Sequence, residues 1–174
     1  VAPTVDNMDG DTLNEILGTQ LPDPSTAYIW NGGGWSSAAF ARGSWGVPNP
    51  AVTLTRGGAI FIENSTGSPV EFSFSGEVPE ARNGGGTTDV AITGIDAVSY
   101  AYPASVTFVS TDVATSSPNN SKVHFWNGGG YDTAAKSRGV WGAPADSKVL
   151  GIGEAFFVEI AGGGNLTWSE VQPY

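Results

Sequence analysis

The pentapeptide Trp30-Asn31-Gly32-Gly33-Gly34 returns 96 residues later as Trp126-Asn127-Gly128-Gly129-Gly130. At the same spacing Arg42-Gly43 meets Arg138-Gly139, Trp45-Gly46 meets Trp141-Gly142, and Pro48 meets Pro144. Leu54, Gly57, Ala59, Phe61 and Glu63 meet Leu150, Gly153, Ala155, Phe157 and Glu159. Between residues 30 and 72, 18 of 43 pairs are identical without a gap. A repeat of this length means one supersecondary unit used twice. The expected organisation is a first module over residues 1–80, a linker or connecting strand over 81–96, and a second module over 97–174. The run Asn83-Gly84-Gly85-Gly86 marks the connection.

Inside each copy the apolar residues follow a period of two. Thr26 to Trp30 and Lys122 to Trp126 read as strands that end at the Asn-Gly turn, whose residues tolerate positive φ. Gly34 to Phe40 is the returning strand. Ala59 to Glu63, Ala155 to Ile160, Asp89 to Ile92 and Ser105 to Val109 are further strands. Val70, Phe72 and Phe74 alternate with Glu71 and Ser73, the pattern of a half-buried strand, and Leu166 and Trp168 take that part in copy two. One short helix is expected, because Thr12-Leu13-Asn14-Glu15 is a capping box and Gly18 a stop. Copy two has Val109-Ser110-Thr111-Asp112 at this place, which does not require a helix. The fold class is therefore all-β: two tandem antiparallel sandwich-like or barrel-like modules related by internal duplication, with one short helix near the N-terminus.

Composition removes several function classes. Only seven residues are Lys or Arg, against a formal net charge of -10, so no basic stripe can follow a phosphate backbone and nucleic acid is not an expected partner. No apolar run reaches 18 residues, so no helical membrane insertion is expected. The chain has no cysteine, which excludes disulfides and thiolate chemistry. The first residue is Val rather than Met, which leads to the expectation of an extracellular protein, matured by signal-peptide removal.

Catalytic chemistry finds little support. His124 is the sole histidine, and its counterpart is Tyr28, so the position reads as a half-buried strand residue. Glu63 and Glu159 are the acids retained in both copies, but glycoside hydrolysis needs two carboxyls about 5–10 Å apart in one cleft. No enzyme activity and no cofactor is expected. The acidic run around Asp6, Asp9 and Asp11 suits a loose Ca²⁺ site, although its register departs from a calcium loop. The glycine triplets lack the Lys-Ser/Thr of a phosphate loop. Asn64, Asn119 and Asn165 begin glycosylation sequons. The most suggestive group is aromatic: Trp35, Tyr131, Trp45 and Trp141, with Trp30, Trp126, Arg42 and Arg138. Two readings compete for it, stacking on a polysaccharide or a Trp–Arg packing unit with the guanidinium over the ring.

The order Trp-Asn-Gly-Gly-Gly-Trp/Tyr, Arg-Gly-x-Trp-Gly, Pro, then Gly-x-Ala-Phe/Ile-Phe-Ile/Val-Glu resembles a tandem β repeat of large, uncharacterised exported bacterial surface proteins. Residues 26–63 and 122–159 carry the likeness. It implies an extracellular, non-enzymatic role in a surface or matrix. In such repeats an apolar strand precedes the segment matching Thr12 to Gly18. Copy two has room for it in Ile92 to Val109, whereas copy one has only Val1 to Val5. This mismatch implies an open sheet edge in the first module. The functional expectation is a secreted structural protein that polymerises head-to-tail into a filament or matrix by strand addition. The expected assembly residues are Val1, Ala2, Pro3, Thr4 and Val5 at one end and Val171 and Tyr174 at the other, and the expected partner is the chain itself. The alternative is a pair of carbohydrate-binding modules.

Overall fold

The computed structural model of the chain describes residues 12–46, 54, 56–76 and 87–173. Val1–Val5, the acidic residues Asp6, Asp9 and Asp11, and Tyr174 lie outside the described residues. The protein is mostly β-sheet, with two short helices. In the N-terminal half, helix α1 (Leu13–Ile16) begins at the expected capping box: Glu15 N–H donates to Thr12 Oγ1, and Thr12 N–H donates to Glu15 Oε2 at 2.9 Å. Leu13 and Leu17 on its inner face are fully buried. Strands β1 (Ser25–Trp30), β2 (Trp35–Ala41), β3 (Ser44–Trp45) and β4 (Ile60–Asn64) form an antiparallel sheet in the order β3-β2-β1-β4.

Two turns shape this sheet, and the chemistry of each differs from expectation. The Asn-Gly-Gly-Gly segment is not a two-residue turn. Trp30 pairs with Trp35 across a four-residue loop, and Asn31 N–H donates to Gly34 O. The Asn31 carboxamide oxygen accepts from Gly33 N–H and Gly34 N–H at 3.2 and 2.9 Å, so the side chain, rather than a positive φ, makes Asn suitable here. The two-residue turn is Arg42-Gly43, with φ of +54° and +79°, the sign pattern of a type I′ hairpin. Asn127 and Arg138-Gly139 repeat both arrangements.

The C-terminal half contains β5 (Thr87–Thr93), β6 (Ile95–Ser99), β7 (Val106–Thr107), β8 (Lys122–Trp126), β9 (Tyr131–Ser137), β10 (Val140–Trp141), β11 (Val149–Leu150), β12 (Ala155–Glu159) and β13 (Asn165–Val171). Its main sheet runs β10-β9-β8-β12-β6, and β5–β13 and β7–β11 are separate ribbons. The ribbon β5–β13 packs on the main sheet, with Trp168 1% exposed and its ring 6.1 Å from Phe156. Both sheets are open, so the barrel alternative does not hold. β5 pairs with β13 and places Ile92 in the C-terminal core, so residues 87–93 of the expected linker or connecting strand form a strand.

Two further expectations are corrected. A second helix, α2 (Asp112–Ser116), forms in the C-terminal half, because Thr111 Oγ1 caps Ala114 N–H and Val113 and Ala114 are buried. Residues 70–75 are not a strand. Val70, Phe72 and Phe74 pack on the N-terminal core as their alternation demands, but no described strand lies beside them. Reciprocal hydrogen bonds between Ser73 and the Gln20 side chain hold the segment.

Candidate functional site: an aromatic contact between the two halves

Alternate residues of β1, β2 and β4 project Tyr28, Trp30, Trp35 and Phe61 from one face of the N-terminal sheet. Their counterparts His124, Trp126, Tyr131 and Phe157 project from the C-terminal sheet, and the two sets meet. Trp30 packs edge-on to Phe157 with centroids 5.5 Å apart, and Phe61 packs edge-on to Trp126 at the same distance. These contacts are reciprocal under the 96-residue shift, the relation expected across a two-fold interface. Trp35 and Tyr131 each lie 5.7 Å from Phe157. Backbone contacts add to the join: Trp30 Nε1 donates to Ile95 O at 2.8 Å, Ser99 N–H donates to Gly57 O at 2.9 Å, and Gly58 bridges Val98.

The aromatic residues singled out in the sequence therefore divide into two groups. Trp35, Trp126 and Tyr131 are each 44% exposed and line a shallow cleft of about 320 Å³ with Tyr28, Phe61 and Glu63. Trp45 and Trp141 are buried, 5% and 4% exposed, and cannot present a ring face to a surface glycan. Their indole N–H groups bind carbonyls next to the helices: Trp45 to Gly18 O at 3.2 Å, Trp141 to Ala114 O at 2.8 Å. The Trp–Arg packing unit is also corrected. Among the described residues the cation–π contacts are Arg56 over Tyr102 and Lys148 over Phe125, and Arg42 and Arg138 serve as turn residues.

The polar groups beside the cleft are held within their own halves. Tyr28 Oη donates to Glu63 Oε2 at 2.6 Å, which raises the phenol pKa. Glu159 accepts from Lys122 Nζ at 3.1 Å, and His124 Nε2 lies 3.6 Å away. Burial lowers the His124 pKa, opposed by the Glu159 carboxylate. Its Nδ1 is 2.8 Å from Thr133 Oγ1. No group of three or more potential metal ligands occurs among the described residues. Asn119 Oδ1 is engaged by Gly139 N–H at 2.7 Å, a turn contact within its half.

A second groove of about 390 Å³ lies between the halves, with Ile62, Val70 and Phe72 on one side and Ala97, Gly153 and Phe156 on the other. At the C-terminal end, Val171 is 66% exposed but pairs with Thr87 as the last residue of β13, so it is already part of a sheet. Sequence reasoning missed Lys136, whose counterpart is Phe40. Its ammonium is buried and donates to Ala114, Thr115 and Ser117 carbonyls, each at 2.8 Å, closing the end of α2. It also missed Arg56, which crosses between the halves to Thr88. Neither has a signal in the repeat, because the counterparts are Phe40 and Ile152. No helix among the described residues is long and apolar enough to cross a membrane. Comparison with protein families, curated proteins and solved structures finds no match to this chain.

Proposed function

We propose that this chain is a secreted structural protein, a pair of duplicated β modules, that assembles head-to-tail into an extracellular filament or matrix by strand addition. The observation that carries the reading is the unequal completion of the two halves. β13 is paired with β5 along all seven of its residues, and β12 has neighbours on both sides. At the 96-residue spacing the counterparts are residues 69–75 and β4. Among the described residues the first has no strand beside it, and β4 is the last described strand of its sheet. A sheet edge with no described neighbour is a template for an incoming strand. An acceptor at one end of a molecule makes a heterologous contact, which propagates unless its rotation closes. Electron microscopy and sedimentation velocity on the full chain test this. Filaments, or a mass distribution that grows with concentration, are expected, and a monodisperse monomer at high concentration overturns it. Phe72→Asp places a charge on the apolar face of the acceptor and is expected to abolish assembly.

One observation favours a second reading, a carbohydrate-binding pair. Trp35, Trp126 and Tyr131 keep nearly half their surface exposed around one cleft. The large negative charge favours a neutral polysaccharide over an anionic one. Affinity electrophoresis through neutral polysaccharides tests it: retardation lost in both Trp35→Ala and Tyr131→Ala supports binding, and equal mobility in all gels removes it.

A further inference from the structure

Six aromatic rings at the join form a closed circuit. Tyr28 lies 6.4 Å from Trp35, Trp35 lies 5.7 Å from Phe157, and Phe157 lies 5.7 Å from Tyr131, between ring centroids. Tyr131 lies 5.1 Å from Trp126, Trp126 lies 5.5 Å from Phe61, and Phe61 returns to Tyr28 at 6.3 Å. Each ring is turned from the next by between 61° and 89°. Rings turned in this way stand as walls rather than as one flat platform. Five of them line the cleft of about 320 Å³ together with Glu63, and Trp35, Trp126 and Tyr131 are each 44% exposed there. The face of an aromatic ring is the negative end of its quadrupole, so walls on several sides attract a cation together.

The two glutamates of the repeat are partnered differently. On the C-terminal sheet Glu159 lies opposite Lys122, whose Nζ is 3.1 Å from its carboxylate. On the N-terminal sheet Glu63 lies opposite Thr26 and accepts from the Tyr28 hydroxyl at 2.6 Å. The cleft therefore joins aromatic walls to a carboxylate, in a chain of formal net charge -10. We infer that this cleft binds a small quaternary ammonium cation of the choline class, with its methyl groups against Trp35, Trp126 and Tyr131 and its charge toward Glu63. A quaternary ammonium has no N–H to satisfy, so aromatic faces can take the place of its weak hydration shell. A primary ammonium carries three donors and would need an oxygen for each. A phosphate or carboxylate on the same molecule would stand in the field of Glu63, so the free cation is selected over a phosphocholine headgroup and over glycine betaine. The cleft lies within one molecule, and the inference is separate from the assembly reading.

Titration of the full chain with choline chloride, followed by tryptophan fluorescence and calorimetry, is expected to saturate. The carbon isostere of choline, in which tert-butyl replaces trimethylammonium, has the same shape without the charge. It is expected to bind at least about tenfold more weakly. Equal binding of the two overturns the inference, because shape alone would then be recognised. Trp35→Ala is expected to weaken choline about three- to thirtyfold, and Trp35→Phe to keep most of the affinity. Glu63→Gln keeps the side-chain shape, and gives a second readout should the ring variant misfold: choline weakens and the isostere does not. No saturation anywhere in the millimolar range, or unchanged choline affinity in both Trp35→Ala and Glu63→Gln, overturns the inference. Phosphatidylcholine vesicles separate the two sources of the cation. The chain is expected to stay in the supernatant when they are sedimented; co-sedimentation that phosphocholine reverses and choline does not would assign the cleft to a lipid headgroup and overturn the free cation.

Discussion

Lys136 shows how one residue can hold an element that the repeat does not specify. Its counterpart Phe40 is an apolar core residue, yet Lys136 is just as buried. Burial pulls its pKa down, while three carbonyls around the ammonium hold the charge in place. Removing the charge leaves the Thr115 and Ser117 carbonyls without this donor, while Ala114 O keeps the Trp141 indole N–H. Lys136→Met, which keeps the chain length, is therefore expected to lower stability by about 3 kcal/mol, read as a fall in denaturation midpoint. A change under about 1 kcal/mol would mean that water replaces the ammonium. His124 gives a pH prediction. Its folded pKa lies below the ordinary value because burial disfavours the imidazolium. The unfolded chain then binds a proton that the folded chain resists. Stability is fully present above the unfolded pKa and declines as pH falls through the histidine range. Thermal midpoints at pH 7.5 and 5.5 should differ less for His124→Tyr, which installs the residue found at position 28, than for the parent chain. An unchanged difference would place the titration elsewhere.

At the scale of elements, the turns set the sheets. Arg42 and Arg138 sit at φ of +54° and +52°, a region where a side chain larger than Asn is strained. Their backbones are fixed by the hairpin and, for Arg42, by its N–H bond to Asp23 Oδ2 at 2.6 Å. Arg42→Asn keeps that bond and relieves the strain, so it is expected to raise stability by about 0.5–1 kcal/mol. Gly43→Val, at φ of +79°, should cost at least as much in the opposite direction. Urea midpoints of the two variants check both signs. The strands flanking these turns were legible from alternation, because each buries one face. The exception, residues 70–75, has the same alternation and buries the same face. A strand also needs a neighbour, and periodicity reports burial without reporting pairing.

At the scale of the whole molecule, the join between the halves is built from the repeat itself. Gly57 illustrates how close it is: a Cβ at this position would fall on Val90 Cγ2 of the other half, with Ala101 also near. Gly57→Ala is thus expected to cost about 1–3 kcal/mol through overpacking, in addition to strain at φ of +86°. Val90→Ala on the same chain should recover part of that loss, and a double-mutant cycle measures it. Strictly additive effects would mean that the halves separate without penalty at this point. The aromatic residues were visible in the sequence as a cluster, but their roles were not. Trp35 and Trp45 are equally aromatic and both have aromatic counterparts, yet one rims a cleft and the other is buried against the Gly18 carbonyl just past α1.

The amino-acid sequence by itself determined the all-β class, the 96-residue spacing of matching strands, the capping box of α1, the absence of cysteine and the excess of acidic over basic residues. Each of these follows from local patterns or composition: alternation, turn residues, charge and the absence of one residue type. The tertiary structure alone decided which Trp residues are buried, that Arg-Gly is the tight turn, that α2 forms, that the two aromatic faces meet, and that 70–75 has no paired strand among the described residues. These depend on which surfaces come together in space. Among the described residues the two copies differ least in their local patterns and most in the strands that lie beside them, a difference visible only when the sheets are assembled.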